Sequence, residues 1–375
     1  MSRDAYTDFA HTGPGTLAGR YLRRFWQPVA IAADLPPGHA RPIRVMSEDF
    51  TLYRGEDGQP HVVAPRCAHR GTQLSTGWVE GDCLRCFYHG WKYDASGQCV
   101  EMPAEDASFP PKVRIASYPT EEYLGLVFAY LGEGEAPPLP RYPDFEADGV
   151  LEVSSYVRPC NYFNNVENGL DHIHLAFVHR LSPFTDAGLN WDLPRIEADE
   201  TDWGIEQRGI RSNGVVRYLQ YGMPNVLHIK GSPNDGDSGW VDALSWRVPI
   251  DDVTHHSCNV NLVHVTGAAA ERYRQRRREP APPGAAVNDL AAAVLRSELH
   301  TDDLKGHPAI VNIQDTVAQA GQGAIADREH ERLGRSDVAV ILLRKLWARE
   351  LAALAEGRPL KQWTRSAQLV ATSGV

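Results

Sequence analysis

The stretch LDHIHLAFVH, Leu170 to His179, crowds three histidines and an aspartate among Leu, Ile, Ala, Phe and Val. Protonatable groups in such company either edge an amphipathic helix, satisfied by hydrogen bonds, or supply part of a metal site. Spacing restricts the second use. On a regular helix, residues five apart lie about 140° around the axis and about 7.5 Å along it. His174 and His179 therefore reach one ion only if a π-bulge or a helix end intervenes. His172 and His179 are about 10.5 Å apart along the axis, too far to share an ion. His172 and His174 share a face only on a strand. His174 with His179 is thus the credible pair, and Asp171, one turn before His174, is suited to orienting an imidazole.

A second constellation lies upstream, in RCAHRGTQLSTGWVEGDCLRCFYHGWKYD. It reads Cys67-x-His69, then sixteen residues, then Cys86-x-x-His89. Two hairpin-like loops can each present one Cys and one His to a shared point. Such a set holds zinc, or a [2Fe–2S] cluster in which two histidines replace two cysteines on one iron. Cys83 forms a CxxC with Cys86, which makes a zinc reading awkward. The chain has six cysteines, too few for a disulfide framework at this length, so their clustering carries the information.

The elements that must position these groups fall into two regions. From about 40 to 135, short strands alternate with turns: RVMSEDFTLYRG, PHVVAP, CFYHGWKYD, CVEMPA and YLGLVFAYLG. The proline-rich APPLPRYPDF makes a linker. NYFNNVENGLDHIHLAFVH then reads as helical, and GVVRYLQY, NVLHIK, ALSWRVPI and SCNVNLVHV as strands. ERYRQRRREPAPPG reads as a solvated loop, and DVAVILLRKLWARELAALAEG as a helix ended by its glycine. The expected class is α+β, an all-β domain preceding a larger sheet packed by helices, with no βαβ wrap. The 375 residues carry a formal charge of −10, which argues against nucleic-acid binding and against anionic membranes. No apolar run approaches a membrane span and the N-terminus lacks a secretory signal's apolar region, so the chain reads as cytoplasmic.

The flanks of the Cys/His pairs, HRG and YHGW, resemble the cluster loops of the Rieske family. ENGLDHIHLAFVH resembles the iron-binding element of Rieske non-heme iron oxygenases, Asp-x-x-His-x4-His. The tail NIQDTVAQAGQGAIADREHERLGRSD is similar to the part carrying the third iron ligand, most like the phthalate- and chlorobenzoate-type α-only branch, with dicamba-type demethylases more distant. The resemblance implies an N-terminal segment (1–40), a Rieske [2Fe–2S] domain (41–140) and a helix-grip, START-like catalytic domain (141–375).

It further implies that Cys67 and Cys86 bind one cluster iron and His69 and His89 the other, with Cys83 a non-ligand. His174, His179 and Asp315 would hold Fe(II), leaving open positions for O2. Among the late carboxylates Asp302, Asp303, Asp315, Asp327 and Asp337, Asp315 matches the family position, and Asp327 reads as the partner of an arginine. Asp171 would connect His89 of one chain to His174 of the next, which implies a homotrimer. Asn168 matches a polar neighbour of the iron, or else makes a helix hydrogen bond. Tyr162, Phe163, Met223, Leu227, Trp246 and Ile313 are pocket candidates, each equally readable as core. Arg66, Arg70, Arg85 and Lys92 could dock an acidic electron donor. No strand–GxGxxG–helix element is present, so electrons come from a separate reductase or ferredoxin. The implied activity is hydroxylation (mono- or dihydroxylation) or O-demethylation of a small aromatic substrate. The competing readings are a Rieske electron carrier without oxygenase activity and a zinc-stabilised hydrolase.

Overall fold

The computed structural model describes residues 6–182, 193–233, 240–277 and 284–365, and the structural statements below concern these. The chain forms two compact units, one of Thr12–Arg141 and one of Tyr142–Val375 together with Met1–His11.

The first unit opens with α1 (Leu17–Leu22), whose first turn is capped by the Thr16 hydroxyl accepting from Gly19 N–H. Eleven short strands follow: β1 (Gln27–Ile31), β2 (Ala40–Val45), β3 (Glu48–Arg54), β4 (Pro60–Val63), β5 (Trp78–Glu80), β6 (Cys83–Arg85), β7 (Lys92–Tyr93), β8 (Cys99–Glu101), β9 (Ser117–Tyr118), β10 (Thr120–Tyr123) and β11 (Leu126–Ala129). They build three antiparallel sheets, ordered β1-β11-β10, β2-β3-β4-β9 and β5-β6-β7-β8. Of CFYHGWKYD only Lys92–Tyr93 is strand, because the preceding residues leave β6 to form a loop. Tyr53, Leu74, Leu84, Trp91 and Tyr93 pack one core cluster, and the thiols of Cys67 and Cys86 are embedded in it.

The second unit is a seven-stranded sheet of β12 (Val150–Arg158), β13 (Arg195–Glu200), β14 (Gly204–Ile210), β15 (Val216–Gly222), β16 (Val226–Pro233), β17 (Trp240–Pro249) and β18 (His255–Val263). Its order is β12-β18-β17-β16-β15-β14-β13, and every neighbouring pair is antiparallel. The helices are α2 (Tyr162–Gly169), α3 (His174–Phe177), α4 (Gly267–Arg276), α5 (Gly284–Leu295), α6 (Ile310–Ala320) and α7 (Val338–Ala355).

Polar anchors fix two of these helices on one sheet face. From α2, the Asn165 amide reaches His255 Nε2 at 2.8 Å and Ser257 Oγ at 3.1 Å. At its far end, Gln207 Nε2 donates to Leu170 O at 2.7 Å. A Cβ on Gly169 would come within 3.2 Å of Leu227 Cδ2, so a bulkier residue would require Leu227 to give by a few tenths of an ångström. Arg158 ties α6 to β12, donating to Thr316 Oγ1 at 3.2 Å and Gln319 Oε1 at 2.7 Å. On the N-terminal side, Tyr162 O–H donates to Phe9 O at 2.8 Å and Phe163 stacks on Phe9.

Two element expectations change. The segment from Tyr162 to His179 is not one helix, because α2 stops at Gly169 and a new turn begins at His174. The basic stretch is not a loop up to Arg276: it continues α4, whose Ala270 and Tyr273 bury against Val150 and Val263. The proline-rich remainder, 278–283, lies outside the described residues. The helix expected near the C-terminus forms, with Gly357 just beyond its end. Among the described residues no helix is long and apolar enough to cross a membrane.

Candidate active site

The two Cys/His loops of the first unit have the same backbone plan. Cys67 N–H donates to Thr72 O at 2.9 Å, and Gly71 N–H donates back to Cys67 O at 2.9 Å. In the second loop, Cys86 N–H donates to Trp91 O at 2.8 Å and Gly90 N–H to Cys86 O at 3.1 Å. Gly71 and Gly90 close these turns with φ of 74° and 75°, a left-handed conformation that L side chains rarely adopt. Each turn holds its cysteine buried and lifts its histidine to the surface. The His69 and His89 rings are 4.4 Å apart, and His69 stacks on Trp91 at 4.5 Å. Tyr93 Oη lies 3.2 Å from Cys67 Sγ and accepts from Ala68 N–H at 3.2 Å. Burial pushes the Cys67 thiol up, while the Tyr93 phenol works in the opposite direction.

This set is not gathered on one point. Four ligands of one zinc would place their donor atoms at most about 3.8 Å apart, given Zn–S near 2.3 Å and tetrahedral angles. Among the described residues, the His/Cys/Asp/Glu group whose ligand atoms all lie within 4.8 Å is His174, His179 and Asp315 instead. Two buried thiols and two exposed imidazoles suit a two-iron cluster with its histidine-bound iron outermost. Cys83 stands half-buried on β6, outside both loops.

The second site is assembled from two separated segments. Asp171 Oδ1 accepts from Ile173 N–H at 2.8 Å and His174 N–H at 3.3 Å, starting α3 after the break at Gly169. That helix is one turn long and ends at Phe177, so His179 falls in the turn that follows. The interruption brings the two rings to 5.2 Å between centroids. His174 Nδ1 donates to Asp171 O at 2.5 Å, and His179 Nδ1 to Gln314 Oε1 at 3.0 Å. Those bonds place the ring proton on Nδ1 in both cases and turn each Nε2 toward the carboxylate. Both Nε2 atoms face Asp315 Oδ1, at 3.8 Å from His174 and 3.3 Å from His179.

Two donors at about 2.1 Å from one ion, at right angles, stand about 3.0 Å apart, so modest contraction closes the triad. Asp315 Oδ1 is buried and accepts no hydrogen bond among the described residues. A buried carboxylate oxygen in that state is costly unless a cation takes it. Burial works against the Asp315 carboxylate, but His179, Arg158 and His174 hold it below its usual range. Burial likewise depresses His174, whereas at His179 the contacts with Asp315 and Gln314 outweigh burial and raise it.

The remaining late carboxylates are engaged elsewhere. Asp302 lies 3.7 Å from Arg180, Asp303 accepts from His300 N–H, and Asp337 accepts from Gly334 N–H. Asp327 pairs with His330 at 2.7 Å, not with an arginine, because Arg328 turns inward to Glu167. Asn168 Oδ1 accepts from Gln319 Nε2 at 2.8 Å, which is the helix hydrogen bond foreseen as its alternative role. Asn168, Asp171 and His174 also line a cavity of about 460 Å³ with Glu167, Asp327, Glu331 and Asp337 and with Arg344, which pairs with Glu167 and Glu331. Tyr162, Phe163, Met223, Leu227, Trp246 and Ile313 are all buried core, held by partners such as Phe9 and Tyr142. Two of the four cations near the cluster are used internally. Arg85 pairs with Glu80 and Glu101, and Lys92 with Glu80, which leaves Arg66 and Arg70 exposed. Gln314 was not singled out in the sequence, although it immediately precedes Asp315.

A pair of Cys/His hairpins in one unit and a two-histidine, one-carboxylate pocket in the other define an oxygenase that couples an electron-storing cluster to mononuclear iron. The Rieske [2Fe-2S] domain family matches residues 25–119. The chain is 32% identical to the 5,5'-dehydrodivanillate O-demethylase oxygenase subunit of Sphingobium sp. (strain NBRC 103272 / SYK-6), over 96% of this chain and 83% of that one. It is 32% identical to the phenoxybenzoate dioxygenase subunit alpha of Ectopseudomonas oleovorans, over 92% and 84%. The terminal oxygenase of carbazole 1,9a-dioxygenase from Novosphingobium sp. KA1 shares the fold, with a TM-score of 0.70 at 22% identity, over 97% of this chain and 100% of that one. The chain belongs to the Rieske non-heme iron oxygenases, as a terminal oxygenase α-subunit whose cofactors are a [2Fe–2S] cluster and mononuclear iron.

Proposed function

We propose that this chain hydroxylates or O-demethylates a small aromatic substrate with O2, as the terminal component of a multicomponent system in the cytoplasm. Cys67, His69, Cys86 and His89 hold the cluster, and His174, His179 and Asp315 hold the iron. The observation that carries the iron assignment is the buried, unsatisfied Asp315 Oδ1 facing two imidazole Nε2 atoms. When bound, the cluster stores and passes single electrons and the iron activates O2.

The protein's own groups set the conditions. The Asp171 carbonyl and the Gln314 amide fix the tautomers of the two histidines. The relay expected through Asp171 takes a modified form. Its Oδ1 caps α3 and its Oδ2 is 3.8 Å from His174 Nδ1, so the contact with His174 runs through the main-chain carbonyl. Oδ2 is then the acceptor left for His89 of a neighbouring copy, which accords with a homotrimer. Electrons reach the cluster from a separate ferredoxin or reductase. The names of the relatives, an O-demethylase and a phenoxybenzoate dioxygenase, support an aromatic substrate.

The test is iron and acid-labile sulfide per chain on anaerobically prepared, iron-replete protein. Three irons with two sulfides are expected. Two of each, with added ferrous iron still failing to bind, would reduce the chain to an electron carrier.

A further inference from the structure

Arg158 is the last residue of β12, and only 1% of its surface is exposed. Its Nε donates to Thr316 Oγ1 at 3.2 Å and its Nη1 to Gln319 Oε1 at 2.7 Å. These residues follow Asp315 on α6 by one position and by one turn, so the guanidinium grips the helix on both sides of that carboxylate. A rotation of α6 large enough to withdraw Asp315 breaks both bonds. The bonding continues beyond α6. A guanidinium only donates, so Gln319 turns its Oε1 to Arg158 and its Nε2 away. That Nε2 donates to Asn168 Oδ1 at 2.8 Å, near the end of α2. Asn168 lies one turn before Asp171, whose Oδ1 starts α3 and so places His174. One arginine therefore joins the segment carrying Asp315 to the segment carrying His174.

The charge matters as well as the bonds. Both hydrogen bonds of the Arg158 side chain go to neutral groups, and its buried Nη2 has no partner among the described residues. The guanidinium carbon lies 4.9 Å from the Tyr156 ring centroid. Burial raises the Asp315 carboxyl, while His179 and then Arg158 hold it down. At His179, burial first and Arg158 last oppose a proton. Arg247 of β17 is also enclosed within the field of Asp315, but its side chain bonds Asn259 of the sheet at 3.5 Å. Arg158 is thus placed to act on Asp315 both through the helix and through its charge.

We propose that Arg158 is a positioning residue of the mononuclear iron site, which holds Asp315 in register with the two histidines and, by its charge, favours ferrous over ferric ion. The inference rests on the iron assignment above and adds a residue that acts through Thr316, Gln319 and the local field. An ion held by one carboxylate and two neutral imidazoles has a net charge of about +1 when ferrous and about +2 when ferric, and a nearby cation opposes the second more strongly. The grip on α6 and the charge are separable, because lysine keeps the charge without the fork.

Two measurements on the full chain with its cluster intact test the assignment: anaerobic ferrous titration, and a mediated redox titration of the mononuclear iron read by electron paramagnetic resonance. Arg158→Lys raises the ferrous Kd about 10-fold and leaves the potential in place. Arg158→Gln moves the ferric-to-ferrous equilibrium about 10-fold toward ferric, the size that a unit charge about 10 Å away supplies in an effective dielectric near 20. For a one-electron couple that is a fall of about 59 mV. A role confined to packing would leave the potential unchanged in both variants. The visible cluster spectrum and far-UV circular dichroism report folding. If Arg158→Gln fails to fold, Gln319→Glu decides, because it keeps the side-chain shape and sets a carboxylate against the guanidinium; the same fall is expected. An unchanged potential in the folded charge variant, or a ferrous Kd within twofold of the unmodified protein in Arg158→Lys, overturns the proposal and leaves the iron assignment intact. Failure of the unmodified protein to take up ferrous iron would overturn the iron assignment itself, and this inference with it.

Discussion

Gln314 offers the sharpest test of how the proposed iron site is held. Its side chain is 3% exposed, and its Oε1 lies 3.0 Å from His179 Nδ1. Gln314→Leu keeps the approximate volume and takes away that acceptor, leaving a buried N–H short of a partner. An unsatisfied buried donor costs about 1–3 kcal/mol. The loss acts on the metal-binding form, because the bond sets both the tautomer and the ring orientation. Removing the outer partner of a ligand histidine weakens metal affinity about 10- to 100-fold, or about 1.4–2.8 kcal/mol, so the two routes agree. The assay is anaerobic ferrous titration of protein whose cluster is intact and whose mononuclear metal has been removed. Cluster absorbance serves as the internal folding control. Gln314→Leu should raise the iron Kd by that factor, and Gln314→Glu, which retains an acceptor, should not. An iron Kd within twofold of the unmodified protein in Gln314→Leu would refute the reasoning.

Three further outcomes are expected. Asp171→Asn keeps an oxygen for the Ile173 and His174 N–H groups, so iron and sulfide contents stay unchanged. Substrate-triggered reoxidation of the reduced cluster should nevertheless slow about 10- to 100-fold, and an unchanged rate would remove Asp171 from the electron path. Tyr93→Phe deletes the hydroxyl 3.2 Å from Cys67 Sγ. A hydrogen bond of about 0.5–1.5 kcal/mol that favours the reduced cluster corresponds to ~20–60 mV, so redox titration should show the potential falling by that amount. His228 is buried, and burial followed by the Arg365 guanidinium pushes it down to about 4. Because its folded value is depressed, the unfolded chain binds the proton more readily. Its stabilising contribution is present above about pH 6.5 and is lost as pH falls toward 4, by up to roughly 3 kcal/mol. Urea unfolding of His228→Leu across that window should show a smaller loss of stability with acid than the unmodified chain.

The proposed cluster site could be read from the sequence because each half of it is local. Cys67 with His69 and Cys86 with His89 sit in single turns, closed by Gly71 and Gly90 within the same few residues. Spacing also required a helix break between His174 and His179, and the chain supplies one at Phe177. The strands of the large sheet could be read from their runs of alternating and β-branched residues. What lay beyond the sequence was set by long-range packing. Asp315 is 136 positions from His179, and only the docking of α6 on β12 through Arg158 brings its Oδ1 to the imidazoles. The same docking delivers Gln314 to His179 Nδ1, a role its amide has no local pattern to announce. Arg85 and Lys92 looked available for docking until β5, β6, β7 and β8 paired and brought Glu80 and Glu101 beside them. Residue identity and spacing determine what a turn can hold, while the pairing of charges across a core is decided by which distant segments meet there.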